Sequence, residues 1–88
     1  MESVDDSRLT PDELRMAGEA MYGQRWQTDL TAALGLGDSA RIRQWMSGRR
    51  SIPLGIRSSM IALLREYAAR AMRLADDLAG NHLGQSND

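Results

Sequence analysis

The chain has no cysteine and no lysine, only one histidine, and no apolar run near the roughly 18 residues that a membrane span needs. Without thiols there can be no disulfide framework and no zinc site built on thiolates. His82 stands alone in the polar segment "NHLGQSND", so a metal would have carboxylates for company and little else. We therefore expect no metal and no cofactor. The start, "MESVDDSR", carries three acids and one base. A secretory signal wants the reverse, followed by an apolar stretch. The expectation is a soluble cytoplasmic protein, associated with the nucleoid if it binds DNA, with no membrane partner. Acid–base catalysis is also poorly served. Asp76 and Asp77 are adjacent, so on a helix they point in different directions and do not form a paired carboxylate centre. No residue is a candidate catalyst, and the chain reads as a non-enzyme.

What is present is unevenly placed. The net charge is −1 over 88 residues. Residues 1–20 carry six acids and two arginines, residues 21–50 five arginines and two aspartates, and residues 51–88 four of each sign. The middle third is the positive third. All eleven basic residues are arginine, which a GC-rich genome would produce without function. Arginine's rigid fork nonetheless suits phosphates and guanine edges.

A chain of this length makes one domain with a thin core. We expect residues 1–9 to be a flexible acidic leader, 10–79 the folded domain and 80–88 a flexible tail. "TPDEL" is a helix start: Thr10 caps, Pro11 takes the first helical position and Glu13 completes a capping box. The first helix is predicted over 11–22, with Leu14, Ala17 and Met21 on one stripe and Gly18 alongside. A second helix is predicted over 26–34, with Leu30, Ala33 and Leu34 inward and Gly35 as its left-handed stop. Asp38 or Ser39 then caps a third helix ending near Ser47, with Ile42, Trp45 and Met46 inward and Gly48 closing it. After "GRRSIP", in which Pro53 biases Ile52 to an extended form, the longest helical pattern runs from about Leu54 to Leu78. Its first half offers Ile56, Met60, Leu63 and Leu64 as a docking face. Met60, Leu64, Tyr67, Ala71, Leu74 and Leu78 recur at heptad spacing. Tyr67, Ala71, Leu74 and Leu78 reach beyond what so small a domain can cover. They are the predicted homodimer contact, with folding back on the first helix as the competing explanation.

Two short helices joined by a glycine-containing turn match a helix-turn-helix. The segments "RWQTDLTAALGLG", "ARIRQW" and "MSGRRSIP" resemble the lambda repressor–Cro class of DNA-binding domains, and more closely the small regulators of phages and bacterial chromosomes. The resemblance covers about Leu14 to Leu64. It implies an all-α, four-helix helix-turn-helix domain with a long C-terminal helix. It puts a backbone-contacting glutamine at Gln27, the small mid-helix residue at Thr31, the turn glycine at Gly35, and the inward residues of the recognition helix at Ile42 and Trp45. One departure is clear: Ile42 lies seven positions after Gly35, where six is usual, so the turn is one residue longer.

On this reading Ala40, Arg41, Arg43, Gln44 and Ser47 face the major groove. Arginine can donate twice to a guanine edge, glutamine can pair with adenine, and Ala40 is small enough to let the helix approach. Ser39 contacts phosphate or serves only as a cap. Gln27, beside the free amides that open the second helix, and Arg49 and Arg50 position the protein on phosphates. Arg25 flanks them, and Arg57 and Ser58 reach the same strand. The implied function is sequence-specific binding of double-stranded DNA by a homodimeric repressor that reads an inverted repeat. No small-molecule ligand is expected in a chain this short. The alternative is a protein-binding adaptor or antitoxin-like module on the same helical fold. An asymmetric apolar groove and arginines that do not converge would mark that alternative.

Overall fold

The computed structural model describes residues 8–81, which are all-helical with no strand. Helix α1 spans Pro11–Tyr22. Its start is the predicted capping box: the Glu13 amide donates to Thr10 Oγ1 and the Thr10 amide to Glu13 Oε1, each at 3.0 Å. Together these satisfy two amides that would otherwise face solvent. A 3₁₀ turn over Gly23–Arg25 leads without a gap into α2, Trp26–Leu34. Helix α3 is Ala40–Ser47 and α4 is Leu54–Asp76, which ends in a single wide π turn over Asp77–Asn81.

The join between α2 and α3 is fixed by Gly35, whose φ of 69° is left-handed. Its amide donates to the Ala32 carbonyl at 3.1 Å, and the Leu36 amide donates to the Thr31 carbonyl at 3.0 Å. This is a Schellman stop, and Leu36 folds back onto the core as such stops favour. Of the two candidate caps for α3, Asp38 takes the role. Its Oδ1 accepts from the Ala40 amide at 2.8 Å, whereas Ser39 makes no capping bond. Gly48 ends α3 with φ 83°.

The core is Leu14, Met21, Trp26, Leu30, Ile42, Trp45, Ile52 and Met60. Each large side chain withdrawn from water contributes about 1.5–3 kcal/mol. Helix α1 is the hub, packing on α2, α3 and α4. Ile56, Leu63 and Leu64 close the lower side as the first half of α4 docks. The inner face of α2 differs from expectation. Ala33 is exposed, and Thr31 is buried instead. Thr31 tolerates burial because its hydroxyl donates to the Gln27 carbonyl at 2.7 Å.

The leader residues 1–7 and the tail residues 82–88 lie outside the described residues. Arg8 and Leu9, expected in the leader, engage the fold: Arg8 Nη1 donates to the Ile52 carbonyl at 3.0 Å, and Leu9 packs on the core. Beyond Leu64 every residue of α4 is exposed, Tyr67, Ala71 and Leu74 included, and so is Leu78 in the turn after it. The described chain does not fold back over them.

Candidate nucleic-acid interface

Helix α3 is held from behind by Ile42, 0 % exposed, and Trp45, 3 % exposed. With those two pinned inward, the helical period dictates what faces out. Ala40, Gln44 and Ser47 fall along the outward stripe. Arg41 and Arg43, two residues apart and so about 200° around the helix, fall on its two flanks. Gln44 becomes a ridge between two shallow depressions. One, about 300 Å³, is lined by Ala40, Arg43, Gln44, Ser47 and Arg49. The other, about 480 Å³, is lined by Arg41, Gln44, Trp45, Arg50, Ser51 and Pro53. Most of the expected contact residues therefore share one surface, with a guanidinium pair on each side of Gln44.

The loop after α3 is shaped by the same helix end. The Arg50 amide and the Ser47 hydroxyl both donate to the Gln44 carbonyl, at 3.3 and 3.1 Å. The Arg49 amide reaches Ser47 Oγ at 3.4 Å. These bonds turn the backbone so that Arg49 and Arg50 diverge into different depressions. Arg43 is steadied at the base of the helix, where its Nη1 donates to Ser39 Oγ at 2.7 Å. Ser39 is thus occupied as a support for Arg43.

Positive charge gathers on this surface, where four arginines line the two depressions. Arg15 is paired with Asp12 and, at 3.2 Å, with Glu19. The hydrogen bond it donates to Asp12, then the charges of Asp12 and Glu19, raise its pKa above the ordinary arginine value. Among the described residues no carboxylate pairs with Arg41, Arg43, Arg49 or Arg50. The stretch from Ser39 to Arg65 holds no acid that could serve as a local partner. Their charge is left to project into solvent.

Three expected positions sit apart. Gln27 is half-buried in the first turn of α2 and lines neither depression. The 3₁₀ turn runs into the front of α2, and the Trp26 amide there donates to the Gly23 carbonyl. Arg57 turns towards the start of α1, where its Nη2 meets the Arg8 carbonyl at 3.3 Å and Glu13 Oε1 at 3.5 Å. Sequence reasoning misses Ser51, which lines the same depression as Arg41 and Arg50; its only signal in the chain is its place directly after the arginine pair. A separate, more apolar hollow of about 630 Å³ lies at the α2–α3 join, bounded by Thr28, Thr31, Ala32, Gly35, Gly37, Asp38 and Ser39.

Among the described residues no three His, Cys, Asp or Glu side chains cluster to hold a metal, and no helix is long and apolar enough to cross a membrane. No family model matches the chain, and no curated protein or solved structure matches it.

Proposed function

We propose that this chain is a helix-turn-helix protein that binds double-stranded DNA as a homodimer and represses transcription by occluding a promoter. Helices α2 and α3 form the two-helix unit, α3 enters the major groove, and the site is an inverted repeat. The observation that carries this reading is the outward side of α3: Gln44 flanked by four arginines that no described carboxylate neutralises. Arg41, Arg43 and Gln44 read base edges. Arg49 and Arg50 grip phosphates on either side and fix the register. Each bidentate base contact discriminates by about 1–3 kcal/mol. The adaptor reading rests on the apolar hollow at the α2–α3 join, which would take a protein side chain rather than a phosphate.

The test is selection from a random duplex pool. The wild type should enrich one discrete palindromic motif. The double variant Arg41→Ala, Arg43→Ala should enrich none while keeping its helical circular dichroism. A double variant that enriches the same motif, or a wild type that enriches nothing, overturns the assignment.

A further inference from the structure

We propose that the acidic leader, residues 1–7, is an internal competitor for the DNA surface. It follows the hollow beside Arg8 into the depression lined by Arg41 and Arg50 and lays its carboxylates on those two guanidinium groups. The competition rests on the DNA-binding reading of the preceding section, whereas the contact itself does not. The leader joins the fold at the right place. Arg8 lines a hollow of about 350 Å³ together with Trp45, Arg50 and Ser51. The same three side chains line the depression that holds Arg41, so the two spaces adjoin. An extended chain advances about 3.3–3.6 Å per residue. Asp6 and Asp5, two and three positions before Arg8, therefore reach about 7–10 Å from it, and Glu2 about 20 Å. Arg50, which lines both spaces, comes first on that path, and Arg41, which lines only the second, lies beyond it.

Charge selects the leader as the occupant. It carries Glu2, Asp5 and Asp6 and no base. Two cations at its root already have partners: Arg8 donates to the Ile52 carbonyl, and Arg57 meets Glu13 and the Arg8 carbonyl. Arg41 and Arg50 pair with no carboxylate among the described residues. The segment at the other end of the chain, residues 82–88, brings one acid, Asp88, and follows the exposed half of α4. Exposed opposite charges attract within a Debye length, about 10 Å at 0.1 M salt, and a short tether keeps the leader's acids near that range. Gln44 separates the side of Arg41 and Arg50 from that of Arg43 and Arg49. The leader's route enters only the first. It covers one base-reading and one phosphate-gripping arginine and leaves the other two open, and a duplex must displace it to seat α3.

Resonances of the arginine guanidinium groups, read without DNA, test the contact. The full chain is compared with one carrying Glu2→Gln, Asp5→Asn and Asp6→Asn, which alter no described residue. Arg41 and Arg50 should shift while Arg43 and Arg49 stay. No shift at Arg41 and Arg50, equal shifts at all four, or shifts confined to Arg8 and Arg57, overturn the contact. Duplex titration at low salt tests the competition. The leader variant should bind about two- to tenfold more tightly, the scale of two exposed ion pairs. The gain should vanish when Arg41→Ala and Arg50→Ala are added, and a gain that persists overturns the competition. A control chain with Asp29→Asn, Glu66→Gln and Asp76→Asn loses the same charge from exposed positions elsewhere. Equal tightening there assigns the gain to net charge and overturns the competition. A chain that binds no duplex overturns the DNA-binding reading and the competition with it, and the resonance comparison still decides the contact.

Discussion

The indole of Trp26 lies against the backbone of Gly18, so closely that a Cβ on Gly18 would stand 2.8 Å from Cδ2 of the ring. Trp26 is 4 % exposed and belongs to the core. This contact sets how near α2 sits to α1, and so the angle at which α2 delivers the turn and α3.

Gly18→Ala should therefore destabilise the protein even though alanine is the better helix former. Overpacking costs about 1–3 kcal/mol, against a helix-propensity gain of about 1 kcal/mol. Gly55→Ala is the control. It lies in the first turn of α4 with nothing within 4 Å of the added carbon, and it should raise stability by about 0.4–1 kcal/mol. Urea unfolding of the two variants should move in opposite directions, and a shift of both in the same direction would contradict the contact.

Asp38, not Ser39, holds the front of α3. Asp38→Ala should lower stability by about 0.5–2 kcal/mol. Ser39→Ala should leave stability nearly unchanged but loosen Arg43, which loses its 2.7 Å bond. Thermal unfolding separates the two. For a domain of this size 1 kcal/mol corresponds to roughly 4–8 °C in Tm.

Arg49→Ala and Arg50→Ala should weaken binding to all duplexes alike and flatten its dependence on salt. Every phosphate that is no longer neutralised reduces the slope of log affinity against log salt by about 0.9. Arg41→Ala and Arg43→Ala should instead change which duplex is preferred. Titrations at several salt concentrations, with the selected and a scrambled duplex, distinguish the two groups.

Much of this architecture is legible in the chain because its signals are local. Thr10, Pro11 and Glu13 announce α1, and Gly35 and Gly48 announce the ends of α2 and α3, since only glycine takes a left-handed stop without strain. The inward pair Ile42 and Trp45 then determines which residues of α3 face outward. What the sequence does not disclose depends on distant partners. Apolarity points to Ala33 as the inward residue of α2, yet Thr31 is the one buried, and its hydroxyl finds the Gln27 carbonyl one turn back. Arg57 looks like a phosphate ligand by position, but Glu13, 44 residues earlier, holds it at the start of α1. One of the amides expected to be free at the front of α2, that of Trp26, is taken up by a 3₁₀ turn that no residue preference signals. Within the candidate site the arginines are visible in the sequence, while their division into two depressions around Gln44 follows from the bonds that shape Ser47 to Arg50.

The most direct measurement is nuclear magnetic resonance of backbone amides and arginine guanidinium groups during titration with a short duplex. The account predicts that the largest changes fall on Ala40, Arg41, Arg43, Gln44, Arg49 and Arg50, while the seam from Tyr67 to Leu78 stays still. Changes confined to Thr28, Ala32 and Gly37 around the apolar hollow, or no change at any guanidinium of α3, would contradict it.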